Sequence, residues 1–196
     1  MRPTLHQLYL AVVALLFGAS LFFTVRVVAL KRTAGAVAAT AAIKSGQPAT
    51  LVTVIDGDEV TVRVGTEKIH VRILGIYAFD PTTADPVEQP HGKAATALLE
   101  ALRDQPVELV FDELKYDSRK RLLAYLQKDG RDQGEAMIAK GVALAYTKYP
   151  FGRLSAYAAA ETRAHQERTG LWGDARVVER AVGLRALWDS ERRKGE

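Results

Sequence analysis

The chain has 196 residues, a formal net charge of +4 and no cysteine. Disulfides and thiolate metal sites are therefore excluded. The length beyond the first apolar stretch suits one domain with a hydrophobic core of its own. The mild basic excess suits nucleic acid or an anionic membrane surface, and equally plain solubility.

Leu8 to Val25 carries no charged residue, and Val27 to Leu30 extends the apolar run past Arg26 to Lys31 and Arg32. A helix of about 20 apolar residues spans a bilayer core. Residues 1–32 are therefore predicted to be a single-pass transmembrane anchor with its flanks, Arg26 reaching the headgroups by its long stem. A cleaved signal peptide is the competing reading. The run is longer than a typical signal core, and its basic residues cluster after it rather than before, which favours an uncleaved anchor. The same charge asymmetry favours a cytoplasmic location for the C-terminal domain.

Residues 33–50 are rich in Ala and other small residues and read as a linker. From Leu51 the hydrophobic period becomes two. Leu51–Ile55, Val60–Val64 and Ile69–Leu74 are predicted strands, separated by Asp56-Gly57 and Gly65-Thr66 turns. Pro81, Pro86 and Pro90 mark an irregular loop. Lys93–Leu102 reads as a helix with Ala94, Leu98 and Leu102 facing inward, stopped by Pro106. Val107–Phe111 and Leu122–Leu126 are predicted strands. Glu135–Lys140 and Leu154–Arg168 are predicted helices ended by Gly141 and Gly170. In residues 174–196, Val177, Ala181, Leu184 and Trp188 form one stripe of an amphipathic helical extension, for which packing on the barrel is the first expectation and membrane contact the second. The predicted class is α+β: a five-stranded OB-type barrel with about three packed helices, an N-terminal transmembrane helix and a C-terminal amphipathic helix.

Several runs carry a more specific signal. Val54–Val60 (VIDGDEV), Val71–Ile76, Asp117–Tyr125, Gly134–Tyr146 and Glu161–Trp172 resemble, in this order, segments of the staphylococcal nuclease family. The similarity covers residues 51–173. It implies a domain that cleaves phosphodiesters of DNA and RNA with Ca²⁺. In such a site a hard cation on oxygen ligands clamps the phosphate. A carboxylate activates water, and two arginines stabilise the developing charge. By resemblance, Asp58 matches the first metal carboxylate, Arg72 and Arg121 the phosphate arginines, and Tyr146 a tyrosine near the phosphate. Arg119 and Lys120 stand beside Arg121 as neighbouring candidates.

The departures matter as much. Tyr77 stands where the second metal carboxylate belongs, and a neutral phenol is a poor ligand for Ca²⁺. Phe79 replaces a loop proline. Asp80 replaces the catalytic Glu, one methylene shorter. Glu59 and Asp85 are the acidic residues that could compensate, and His70 and His91 the spare bases. The resulting expectation is a membrane-anchored domain with a degenerate, weakly Ca²⁺-binding site. It would serve as a non-catalytic binding module for DNA, RNA, another phosphate-bearing ligand or protein. The alternative is a weak Ca²⁺-dependent nuclease with Arg72, Asp80 and Arg121 in catalytic roles.

Overall fold

The computed structural model describes residues 5, 9, 13–28, 43–119 and 121–195, and the chain divides into two units, Met1–Ala42 and Ile43–Glu196. In the first unit, residues 13–28 form helix α1, with every side chain exposed. Among the described residues no helix is long and apolar enough to cross a membrane. The span predicted over Leu8–Val25 extends into residues outside those described, as do residues 29–42 of the predicted anchor and linker.

The second unit opens on a strand earlier than its hydrophobic period suggests. Strand β1 covers Gln47–Val54 and pairs antiparallel with β2, Glu59–Val64, across a bulge between Leu51 and Thr53. Residues 47–50, read as linker, are thus barrel residues, and Ile43 is already buried in the core. The small side chains of Pro48 and Ala49 conceal this edge from a search for alternation. Their backbone nevertheless pairs with β5, Pro106–Val110. Gly65, at φ +59, makes the tight turn from β2 into β3, Glu67–Ile73. Along β3, Ile69, Val71 and Ile73 point into the core, while His70 and Arg72 point outward.

Closure comes from β6, Leu122–Lys128. It pairs antiparallel with β5 and parallel with β3, through Val71–Leu122, Arg72–Leu123 and Ile73–Ala124. The five strands β1, β2, β3, β6 and β5 form a closed barrel, extended by the short β7, Arg131–Asp132. Leu51, Val60, Val62, Val71, Leu109 and Leu126 are fully buried inside it. Each such side chain contributes about 1.5–3 kcal/mol of burial free energy.

Helix α2 runs Gln89–Glu100, starting before its predicted Lys93 because Pro90 fits the first turn, where its missing N–H is no loss. Its buried face is Gly92, Ala95 and Leu99, rather than the predicted stripe from Ala94. Leu98 and Leu102 are half-buried against the core. The rotation follows from Gly92: a Cβ there would lie 2.5 Å from the Phe79 carbonyl oxygen, so only glycine lets the helix press against this loop. Helix α3, Gln133–Ala139, and helix α4, Leu154–Gln166, pack together, and α3 covers β6. A 3-10 turn at Gly170–Gly173 leads into α5, Ala175–Gly195. As its stripe predicts, α5 buries Val177, Ala181 and Trp188, in a second cluster with Phe79, Leu144, Leu171 and Trp172.

Candidate functional site

The Asp56-Gly57-Asp58-Glu59 turn is fixed by its own hydrogen bonds. The Asp58 amide donates to Asp56 Oδ1 (2.9 Å), and the amides of Ile55 and Asp56 donate to the Glu59 carbonyl. Gly57 is required by contact: a Cβ there would meet the Cβ atoms of Ala78 and Ala95 at 2.5 and 2.6 Å. This close approach brings Asp58 under the chain after β3. Its Oδ2 accepts the Ala78 amide (2.8 Å), its carbonyl accepts the Ile73 amide (2.8 Å), and Asp58 is only 6% exposed.

The two arginines reach this turn from β3 and from the start of β6, whose parallel pairing sets them side by side. Arg72 forms an ion pair with Asp58 and donates through Nη2 to the Ile76 carbonyl (3.1 Å). Arg121 forms an ion pair with Glu59 and is clamped by Asp117, which accepts its Nε (2.6 Å) and its backbone amide (2.9 Å). Glu59 also meets His70 Nε2 at 2.8 Å. Carboxylate oxygens of Asp56, Asp58 and Glu59 lie within 4.8 Å of one another. Burial pushes the Asp56 carboxyl above its ordinary pKa and the charge of Asp80 adds to this, while Arg72 and Arg121 oppose it. Desolvation lowers the pKa of Arg72. A phosphate arriving here meets two guanidinium groups that are already held by acidic partners.

Asp80 is exposed and near enough to Asp56 for its charge to act there, with its carboxylate accepting hydrogen bonds from the Thr82 amide (2.7 Å) and hydroxyl (2.6 Å). These bonds hold it below the usual carboxylate pKa, which makes it a weak proton acceptor. Of the proposed substitutes, Glu59 belongs to the acidic turn and His70 reaches it through Glu59. Asp85 instead accepts from Val87 and pairs with Arg180 of α5, and His91 sits by Asp174, with burial lowering its pKa. Arg119 is exposed, and Lys120 lies outside the described residues.

Two short strands, β4 (Ile76–Tyr77) and β8 (Leu144–Ala145), place Tyr77 beside Tyr146. Their rings stack at 6.4 Å. Phe79 lies against Tyr77 edge-on at 5.9 Å, and Trp188 meets Tyr77 at 5.4 Å and Tyr146 at 4.9 Å. Burial raises the pKa of both phenols, and Glu88 adds to the rise at Tyr77, so both are neutral at physiological pH. Arg72 is close enough for its charge to act on both rings.

The geometry thus gathers Asp58, Arg72, Asp80, Arg121 and Tyr146 about the acidic turn and Arg72, close enough for charge to act between neighbours. Sequence reasoning missed Asp56, Asp117 and Trp188. Asp56 carries a signal, three acidic residues within one turn, but by its spacing alone it reads only as turn-forming. Asp117 stands four residues before Arg121, and nothing in its spacing separates a clamp from a surface charge. Residues 70–174, more than half of the chain, match the family model described as staphylococcal nuclease homologue. That match includes Arg72, Asp80, Arg121 and Tyr146, and begins after the acidic turn.

Proposed function

The chain belongs to the family of staphylococcal nuclease homologues, and from that premise we propose that it is a membrane-anchored, non-catalytic module that binds nucleic acid or a related phosphate-bearing ligand. The observation that carries this reading is Tyr77. The family resemblance calls for a second metal carboxylate at this position. A neutral phenol stands there instead, fixed among Phe79, Tyr146 and Trp188. Asp58, the remaining family-type ligand, is engaged by Arg72 and the Ala78 amide. This donor set does not fit a tightly held Ca²⁺. Adjoining basic and aromatic groups are the chemistry that holds phosphate and stacks bases.

The anchor reading is supported by residues 13–28, an exposed helix in which most side chains, Leu15, Phe17, Leu21 and Phe23 among them, are apolar. Arg26, Lys31 and Arg32 at its C-terminal side favour the cytoplasm for the domain. Extraction of expressing membranes with alkaline carbonate tests it: an anchored chain stays in the pellet.

A second reading rests on the acidic turn. Asp56, Asp58 and Glu59 are three converging carboxylates, and a weak Ca²⁺-dependent nuclease would have to use them against the pull of Arg72 and Arg121. Incubation of the purified chain with single-stranded DNA and with RNA, in Ca²⁺ or in EDTA, separates the two. Binding without cleavage supports the module. Ca²⁺-dependent cleavage that disappears in Arg121→Ala overturns it in favour of the nuclease.

A further inference from the structure

We propose that the part of α5 beyond Gly183 is a hinged cover, and that its release opens the aromatic face of Tyr77 and Tyr146, beside Arg72, to single-stranded nucleic acid. This rests on the nucleic-acid reading above and adds a control to it. Helix α5 begins at Ala175, one residue after the family match ends, so the cover is an addition to the family domain.

The two halves of the helix are held differently. Before Gly183, Val177 and Ala181 are buried with Leu171 and Trp172. Beyond it, one large apolar side chain is fully seated: Trp188, 4% exposed, on the rings of Tyr77 and Tyr146. Leu184 is half-buried against the cluster of Trp188, and the remaining tethers of this half are polar. Arg185 pairs with Glu161 and donates to the Thr147 hydroxyl (2.9 Å), Arg192 donates to the Thr147 carbonyl (3.1 Å), and Glu191 meets Lys148 (2.8 Å). Ion pairs open to water, as between Lys148 and Glu191, hold weakly.

Gly183 lies between the halves. A Cβ there would meet nothing within 4 Å, so packing does not demand glycine at this position. In a helix interior glycine weakens the helix relative to alanine. The helix is therefore softest where its anchored half gives way to the half over the tyrosines. Trp188 meets both tyrosine rings edge-on, at 65° and 85°, and its indole, of the size of a nucleobase, fills the space in which a base would stack on them. A base and the indole compete for one seat, and Arg72 and Lys148 near it suit the adjoining phosphates.

The test uses the full chain, its Trp188→Ala variant and its Gly183→Ala variant, with fluorescein-labelled oligothymidylate read by anisotropy. Trp188→Ala frees the seat and is expected to tighten binding by about tenfold, the scale of one base–aromatic stack. Gly183→Ala stiffens the helix without touching a neighbour and is expected to weaken binding by about threefold. Measurable binding that is equal in all three overturns the cover and leaves the nucleic-acid reading standing. No binding by any of them overturns both. Should Trp188→Ala fail to fold, by near-ultraviolet circular dichroism, Gly183→Ala decides alone: binding no weaker than that of the unaltered chain overturns the proposal.

Discussion

The Asp132 carboxylate lies between the start of α3 and two side chains of the α4 segment. It accepts the amides of Gly134 (2.8 Å) and Glu135 (3.3 Å), takes the Tyr157 hydroxyl at 2.9 Å, and pairs with Arg153. Loss of a helix cap costs about 1 kcal/mol, and a buried hydroxyl left without its partner about 1–3 kcal/mol more. Asp132→Ala is therefore expected to lose roughly 2–4 kcal/mol in urea unfolding, whereas Glu179→Ala, at an exposed helical position, changes stability by less than about 0.5 kcal/mol. A second carboxylate, Asp112, accepts the Tyr125 hydroxyl (2.6 Å) and the Gly152 amide (2.6 Å), and these bonds depress its pKa. A depressed carboxylate stabilises the fold while ionised, so its contribution is present above the usual carboxylate range and is lost as pH falls through the depressed value. The gap in thermal midpoint between the unaltered chain and Asp112→Asn is expected to be widest near neutral pH and to close below the usual carboxylate range; a gap independent of pH would falsify the assignment. Neither residue is legible in the sequence. A capping Asp before Gln133 and a lone Asp after β5 look alike there, and only the tertiary return of α4 distinguishes them. Asp58, Arg72, Arg121 and Tyr146 are legible because each lies in a run whose order resembles a known family. Trp188 is legible as part of an apolar stripe, but not as a neighbour of Tyr77, because that contact joins residues distant in sequence.

Among the elements, strands β2, β3 and β5 lie within a residue or two of where period-two alternation places them, since each has one face in the barrel, and β6 shows as a continuous apolar run because Leu122–Leu126 are buried on both faces. The misses share a cause, which is that contact rather than period decides. Strands β4 and β8 have two residues each, too few for any period. They form because the chain after β3 and the chain after α3 lie side by side. Helix α2 is rotated from its apparent stripe because glycine and alanine, weak hydrophobic signals, make its closest contacts. Gly57 binds three elements together in this way, and a methyl group there would overlap both Ala78 and Ala95. Gly57→Ala is expected to cost about 1–3 kcal/mol, the usual range for overpacking, and to displace Asp58 from the Ala78 amide. Thermal unfolding gives the cost. Amide exchange at Ala78 reads the displacement, and unchanged protection there would show that the turn adapts without moving the site.

At the scale of the molecule, the closed barrel and the helix that follows it meet at one cluster of side chains around Arg72 and Tyr77. Parallel pairing of β3 with β6 sets Arg72 and Arg121 near each other, and carboxylates from β2 and its turn hold them. Near Arg72, Tyr77 is a seat for α5. An Asp in place of Tyr77 would put a carboxylate against the Trp188 ring, where burial raises its pKa and penalises its charge. Tyr77→Asp alone is therefore expected to lower the thermal midpoint. Joining it to Trp188→Ala removes the apolar neighbour and leaves a carboxylate near Asp58 open to water. A cation that binds only the folded chain, at free concentration L, stabilises it by RT ln(1 + L/Kd), about 1.4 kcal/mol at tenfold over its dissociation constant. Millimolar Ca²⁺ is expected to raise the midpoint of the double variant by several degrees and to leave that of the unaltered chain where it was. Equal shifts in the two would mean that Ca²⁺ binds without position 77, through the acidic turn, and that the aromatic seat does not decide metal binding.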